Sequence, residues 1–127
     1  MDRVFLDANI LFSAAYRPDS GLARLWGLKN ARLITSVYAR QEALSNLETE
    51  AQHERLKILL ETVEIIEHTA EDSLPPDIHL PEKDRPILQA ALAARATHLL
   101  TGDVRHFGAL FGKTVGTVKV SLPAEYL

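Results

Sequence analysis

Four acidic residues of this 127-residue chain stand where carboxylates could act together chemically. Asp7 ends the first short apolar run, and Asp103 closely follows a later one. Asp84 precedes an alanine-rich segment, and Glu42 lies early in a long segment with helical apolar spacing. Closely packed carboxylates resist ionising, but a divalent cation reverses that balance, and oxygen ligands suit Mg²⁺ or Mn²⁺ better than zinc. If the four acids converge, they predict a magnesium or manganese site able to bind phosphate oxygens and activate water.

Each acid also has a purely structural interpretation. Asp84 could cap a helix that carries Pro86 in its first turn, and Asp103, which follows Thr-Gly, could serve a turn. Glu42 taken alone is typical of a solvated helix surface. Asp7 is the hardest to explain without a function, because an acid that ends a buried strand needs a partner.

Short apolar runs alternate with segments of helical apolar spacing. The runs at 4–6, 33–35, 63–66, 97–100 and 115–120 predict strands. A first helix is predicted directly after Asn9, a good N-cap residue. Further helices are predicted at 20–30, at 37–60 with a break near 51–53, and at 82–96, with a short helical turn at 107–111. Residues 69–81 are predicted as a surface connection. This alternation predicts an α/β fold with a mostly parallel sheet, in a single domain over residues 1–127.

The geometry of parallel sheets explains how distant acids could meet. In open α/β sheets, ligand sites lie outside the carboxyl ends of the strands, where the strand order reverses. Neighbouring strands lie ~5 Å apart, so Asp7 and Asp103 could reach one ion if the strands before them are neighbours. Asp84 and Glu42 would then have to point toward the same edge of the sheet.

The composition limits the classes of partner and compartment. Apolar residues make up 46% of the chain and charged residues 24%, which excludes a disordered or collagen-like protein. The absence of cysteine excludes disulfides, thiolate metal sites and cysteine nucleophiles. No apolar stretch approaches the ~20 residues that span a bilayer, and no secretory signal is evident, so a cytoplasmic protein that makes no membrane contact is expected. The net charge of −3 argues against the broad basic face of a duplex-DNA binder.

Four blocks of the chain, in order, resemble PIN-domain proteins. The opening VFLDANIL at 4–11 is similar to the family's first strand, which ends in Asp-x-Asn. Ser36 followed by Glu42 within a helix matches the middle block. KDRPILQAA at 83–91, followed by LLTGD at 99–103, resembles the family's second half, and the last ten residues, VKVSLPAEYL, resemble the closing strand and tail of bacterial members.

The resemblance implies a fold, an activity and partners. The fold would be a three-layer α/β/α sandwich around a short, mostly parallel central sheet. The activity would be that of an endoribonuclease that depends on Mg²⁺ or Mn²⁺ and hydrolyses phosphodiester bonds in single-stranded or structured RNA. Many bacterial relatives are toxins, commonly dimeric, that a small cognate antitoxin neutralises, so an antitoxin partner and a homodimer are expected here.

Residue by residue, the resemblance also implies a site. The catalytic, metal-binding acids would be Asp7, Glu42, Asp84 and Asp103. Asn9 would orient Asp7 or a metal-bound water, and Thr101 would support Asp103. Some relatives carry a further acid a few residues beyond the last Asp, but Val104, Arg105 and His106 follow it here, so the resemblance does not extend to a complete second metal site.

Basic residues near the acids are candidate RNA contacts. Arg85, Arg105 and His106, with Arg17 as a further candidate, could bind flanking phosphates, although each alone is equally typical of solvated surface charge. The histidines show no pair at ligand spacing on one helix, which argues against zinc; they are His53, His68, His79, His98 and His106.

Two alternatives compete with the ribonuclease. A phosphatase of the haloacid-dehalogenase type also begins with a strand that ends in Asp, but it requires a second Asp where this chain has Asn9. The other alternative is a non-catalytic PIN-like module that binds RNA or protein. An unused cluster of four acids would lower stability, which argues against that module. Metal-dependent cleavage of RNA distinguishes the two.

Overall fold

The computed structural model describes residues 1–67 and 74–127. His68 and the first part of the predicted connection, residues 69–73, lie outside the described residues. The rest of that connection, 74–81, has neither helix nor strand, and Leu74 and Ile78 are buried in the core. The connection therefore packs against the domain at these two apolar side chains.

Strands and helices alternate along the described chain. The order is β1 (Asp2–Leu6), α1 (Ala8–Tyr16), a 3₁₀ helix (Gly21–Gly27), β2 (Ala31–Ser36), α2 (Val37–Asn46), α3 (Glu50–Leu60), β3 (Glu64–Ile66), α4 (Arg85–Ala93), β4 (His98–Leu100), α5 (Val104–Phe107), a second 3₁₀ helix (Gly108–Leu110), β5 (Thr114–Val115), β6 (Val118–Ser121) and α6 (Pro123–Tyr126). The predicted α/β alternation is confirmed.

The strands of the described residues form one sheet in the order β3-β2-β1-β4-β6-β5. Every pairing is parallel except that of β5 with β6. In the register of the central strands, Phe5 of β1 lies beside Ile34 of β2 on one side and Leu99 of β4 on the other. From β1 the chain builds outward through β2 and β3, then returns to the other side of β1 with β4. The strand order therefore reverses between β1 and β4.

The two central strands are buried on both faces. Phe5 and Leu6 in β1, like Leu99 and Leu100 in β4, are 0% exposed. Because successive side chains of a strand point to opposite faces of the sheet, helices must cover both faces. This burial explains why the strands are continuous apolar runs rather than alternating patterns, and it confirms the α/β/α arrangement.

Several predicted boundaries are wrong, for local reasons. Asp7 rather than Asn9 is the N-cap of α1, because the carboxylate of Asp7 accepts a hydrogen bond from the Ala8 N–H. The long helix breaks before residue 50 rather than near 51–53, because Thr49 and Gln52 form a capping box that begins α3. Ser36 caps α2 by accepting a hydrogen bond from the Ala39 N–H.

Three other segments also differ from the prediction. The segment 20–30 forms only a 3₁₀ helix, in which Leu25 alone is buried. The predicted strand at 115–120 is an antiparallel pair, β5 and β6, that turns at Gly116 with a φ of +60°. Glycine adopts that left-handed conformation without strain, whereas apolar periodicity carries no sign of the turn. The helix predicted at 82–96 spans only Arg85–Ala93.

No membrane-spanning candidate occurs within the described ranges, where each helix is too short or too polar to cross a bilayer.

The buried sheet makes a stability prediction. Replacing Leu99 with alanine should lower the free energy of unfolding by about 2–5 kcal/mol, because the substitution leaves a cavity in a fully buried strand. The matched control is Ile58→Ala on α3, where the side chain is 55% exposed and the change should stay within about 0.5 kcal/mol. Urea unfolding followed by circular dichroism measures both. Equal losses for the two variants would contradict the assigned core.

Candidate metal centre

Asp7 lies at the point where the strand order reverses. It directly follows β1, and its backbone N–H donates to the Leu100 carbonyl of β4 over 3.1 Å. The side chain is 4% exposed. One carboxylate oxygen, Oδ1, accepts the Ala8 N–H at 2.6 Å, while Oδ2 accepts the Thr101 hydroxyl at 2.7 Å and the Asn9 side-chain amide at 3.0 Å. Asp7 is thus a buried carboxylate held by three donors.

Asn9 and Thr101 connect Asp7 to the segment that carries Asp103. The Asn9 side-chain amide donates to the Thr101 hydroxyl oxygen at 3.1 Å, and its Oδ1 accepts the Gly102 N–H at 2.9 Å. The Thr101 hydroxyl oxygen also accepts the Asp103 N–H at 3.1 Å. Both residues that the sequence suggested as supports therefore bridge the ends of β1 and β4.

Burial makes the carboxylate form of Asp7 costly. Desolvation raises the pKa of Asp7 from 3.8 to about 6, although the hydrogen bonds from Thr101 and Ala8 act in the opposite direction. The negative charges of Asp84 and Glu42 contribute to this rise in pKa. The same repulsion would be relieved by a cation among the acids.

Asp84 and Asp103 meet at the ring of His106. Asp84 occupies the N-cap position of α4 but makes no capping hydrogen bond there. Its Oδ2 lies 2.8 Å from His106 Nδ1, and Asp103 Oδ2 lies at the same distance from that nitrogen. Asp103 Oδ1 accepts the His106 backbone N–H at 3.0 Å, so Asp103 also caps α5. The interpretation of Asp84 as a helix cap is therefore wrong. Asp103 does have a local structural role, but its carboxylate also contacts the His106 ring.

Asp84 is 8% exposed, and burial raises its pKa, whereas the positive charge of a protonated His106 would lower it. Neither Asp84 Oδ2 nor His106 Nδ1 has a hydrogen bond of normal geometry, although both atoms are buried. Ligand atoms of Asp84, Asp103 and His106 all lie within 4.8 Å of one another. This group therefore has the donors and the proximity to hold a metal ion.

All four predicted acids border one cavity of about 390 Å³. Its lining consists of Asp7, Ala8, Asn9, Phe12, Glu42, Asn46, Lys83, Asp84 and Asp103. Glu42 reaches it from α2, where the neighbouring Ala39 and Ala43 are buried and fix the rotation of the helix. The acids thus come from four separate segments and face one space.

Lys83 lines this cavity and Tyr38 contacts Lys83, and the sequence analysis selected neither residue. The Tyr38 hydroxyl donates to the Lys83 carbonyl at 2.6 Å, which ties α2 to the segment before α4. Burial, together with the charge and hydrogen bonding of Glu42, raises the pKa of Tyr38 to about 12. The sequence spacing could have predicted that Tyr38 lies near Glu42, because residues four positions apart share one face of a helix.

The basic residues proposed as RNA contacts divide into two groups. His106 lies within the acid cluster, between Asp84 and Asp103. Arg105 is exposed on α5, Arg17 is exposed after α1, and Arg85 is half-buried at the start of α4.

The donor set fits a hard divalent cation. Four carboxylates face one cavity, and the buried Asp84 Oδ2 lacks a normal hydrogen bond. Mg²⁺ and Mn²⁺ favour oxygen ligands and readily keep part of their water shell, so an open cavity suits them. Ion and water could then share the space in front of Asp7.

Comparisons with known proteins find solved structures with a similar fold. The solved structure of VapBC2 from Rickettsia felis, bound to a DNA fragment from its promoter, is similar with a TM-score of 0.70 at 18% identity, covering 94% of this chain and 98% of that one. The structure of VapC20 from Mycobacterium tuberculosis, a toxin that cleaves the sarcin–ricin loop, is similar with a TM-score of 0.60 at 14% identity, covering 87% of this chain and 98% of the other.

At these identities the structural likeness establishes the fold alone. A search of curated proteins finds no match. A family model described as PIN domain, however, matches residues 3–105. Because that match spans most of the chain, the chain belongs to the PIN-domain family.

Proposed function

We propose that this protein is a divalent-metal-dependent endoribonuclease and the toxin of a toxin–antitoxin pair. The observation that carries the nuclease proposal is the convergence of Asp7, Glu42, Asp84 and Asp103 on one cavity. Four acids facing one another repel, and a cation that binds phosphate oxygens would relieve that repulsion.

In this proposal the four acids hold the cation, and the remaining residues orient them. A bound Mg²⁺ or Mn²⁺ would polarise a phosphodiester and lower the pKa of a water molecule. Asn9 and Thr101 fix the Asp7 carboxylate through the hydrogen bonds to Oδ2. Tyr38 holds the Lys83 backbone, and the exposed Lys83 side chain stands at the cavity, where it can bind a phosphate next to the scissile one.

RNA is the proposed substrate, single-stranded or with accessible loops. The half-buried Phe12 lines the cavity and offers a ring on which an unpaired base can stack. Arg85 and Arg105 flank Asp84 and Asp103 in sequence and can bind further phosphates. Because the net charge of the chain is −3, the RNA backbone would be bound by such local cations and by the bound metal rather than by a broad basic surface.

The toxin role rests on family likeness. The chain belongs to the PIN-domain family, and VapC20, a structural neighbour, is described as a toxin that cleaves the sarcin–ricin loop. We extend that description to this chain as a proposal, with a small cognate antitoxin, a homodimer and a cytoplasmic location as its parts.

A non-catalytic PIN-like module that binds RNA or protein is the second candidate. The contacts of His106 with Asp84 and Asp103 favour it, because a protonated imidazole would neutralise part of the acid cluster without metal. Such a protein would bind RNA but leave it intact.

An RNA cleavage assay with purified protein distinguishes the nuclease from the non-catalytic binding module. With Mn²⁺ or Mg²⁺ the parent should cleave single-stranded RNA, and EDTA should stop it. Asp7→Asn should reduce the rate by ~100-fold or more, since even outer-shell changes at metal sites cost 10–100-fold. The matched control is Asp19→Asn, an exposed acid outside the cavity lining, which should cleave at the parent rate. Cleavage that is indistinguishable in parent and Asp7→Asn would indicate a contaminant and support the binding module.

The raised pKa of Asp7 makes a prediction about the metal-free protein. The folded chain keeps the Asp7 proton up to about pH 6, whereas the unfolded chain releases it near 3.8. The folded state therefore holds more protons between these values, so the free energy of unfolding falls as the pH rises through this window. The difference between the two pKa values corresponds to about 3 kcal/mol, fully lost above pH ~6.

Urea unfolding in EDTA, from about pH 4 to about pH 7, measures this loss. The stability of the parent minus that of Asp7→Asn should decline across the window, because the asparagine carries no charge. Subtraction removes the contributions of the other acids. A difference that stays constant with pH would show that Asp7 titrates normally.

A further inference from the structure

We propose that His106 is a metal ligand, which binds the cation through Nδ1 together with Asp84 and Asp103 and makes this centre prefer Mn²⁺ to Mg²⁺. The proposal rests on the proposed function, because it takes the acid cluster to be a metal site. It adds a nitrogen donor to a set of carboxylates, at a residue for which the sequence suggested only an RNA contact.

The local fold brings the histidine to the acids. Asp103 caps α5, and His106 stands three residues later, on the same side of that helical turn. The buried Phe107 anchors the turn in the core. Asp84 approaches from the start of α4, a separate segment of the chain. The three donors are therefore positioned by two separate helices, α4 and α5.

The contact distances are those of neighbouring ligands. His106 Nδ1 lies 2.8 Å from an oxygen of Asp84 and 2.8 Å from an oxygen of Asp103. Ligand bonds of roughly 2.1 Å at right angles place adjacent ligand atoms roughly 3 Å apart, so one small ion can serve all three after a slight displacement. The side chains already have the spacing that a shared cation requires.

The second observation is that the inner atoms of the cluster lack hydrogen bonds of normal geometry. His106 Nδ1 and Asp84 Oδ2 are both buried in this state. Asp84 is 8% exposed and occupies an N-cap position, yet its side chain turns away from the helix and into the cluster. Buried polar atoms of native proteins nearly always have a partner, and a bound ion would supply one here.

The chemistry of the donors sets the preference. Imidazole nitrogen suits first-row transition ions, whereas Mg²⁺ strongly favours oxygen and gives up water reluctantly. Replacing one oxygen of the set by nitrogen therefore favours Mn²⁺. Zinc sites usually contain more nitrogen or sulfur than one histidine provides.

A fixed counter-ion role for His106 is the competing explanation, and it predicts the opposite sign. A positively charged ring would occupy the place of the cation and neutralise Asp84 and Asp103. Removing the ring would then free the acids and tighten metal binding. Removing a ligand instead weakens binding, and weakens it more for the ion that prefers nitrogen.

Isothermal titration of metal-depleted protein with MnCl₂ and with MgCl₂ tests the assignment. His106→Ala should weaken Mn²⁺ binding by ~10-fold or more and Mg²⁺ binding by less, so the ratio of the two affinities falls. His106→Asn, which offers an oxygen in place of the nitrogen, should keep Mg²⁺ affinity close to that of the parent while losing the Mn²⁺ preference. The matched control is His79→Ala, an exposed histidine remote in sequence from the cluster, which should bind both ions as the parent does.

The outcomes separate this assignment from the nuclease proposal. Unchanged or tighter Mn²⁺ binding in both His106 variants overturns the ligand role. A parent protein that binds no Mn²⁺ overturns it as well. If the variants bind Mn²⁺ as the parent does and the parent still cleaves RNA with metal, the nuclease proposal stands without the ligand role. Loss of the Mn²⁺ preference in the variants, combined with a parent that cleaves no RNA, supports the ligand role and contradicts the nuclease. His106→Asn keeps the test decisive if the alanine variant folds poorly.

Discussion

The parallel pairing of β1 with β4 is the interaction on which the acid cluster depends. It places Leu6 beside Leu100 and continues for one more hydrogen bond, from the Asp7 N–H to the Leu100 carbonyl. Beyond this bond the two segments diverge, Asp7 into α1 and Thr101 toward α5. The Thr101 hydroxyl can therefore reach the Asp7 carboxylate at 2.7 Å, although 94 residues separate them. A strand inserted between β1 and β4 would separate these two groups.

The burial of Asp7 at the end of β1 lowers the stability of the folded chain when this carboxylate is ionised. Burial and neighbouring acids raise the pKa of Asp7 to about 6, so the ionised form of this carboxylate is costly near neutral pH. The apolar core that surrounds β1 and β4 must offset this cost, and the donors on Asp7 reduce it. In the metal-free protein, a protonated His106 would give the corresponding relief at Asp84. The two halves of the cluster thus limit their repulsion differently, one through neutral hydrogen-bond donors and the other through a group that can carry positive charge.

The sequence predicted the strands and the meeting of the acids better than it predicted the details around them. Apolar runs identify fully buried strands, and the carboxyl-end rule then brings Asp7 and Asp103 to one edge. Boundaries failed where a single side chain or dihedral decides: the capping box of Thr49, and the left-handed φ of Gly116. Asp84 looked like a helix cap because the N-cap position is local information, whereas the direction of its side chain depends on His106, 22 residues away. The spacing of apolar residues does not predict such contacts between polar side chains.

Fold and donor chemistry are separate properties of this cluster. The sheet order and the segments that bear Asp7, Asp84 and Asp103 follow from packing, which the chain has in common with structures only 14–18% identical to it. The residue at the third position after Asp103 is under no such constraint, because the core contact of α5 is made by Phe107. We therefore expect exchanges at position 106 to change the acid cluster more than the sheet. In the proposed metal centre, a donor placed there would alter the charge and ligand type of the cluster, so the preferred ion would depend on this residue rather than on the sheet.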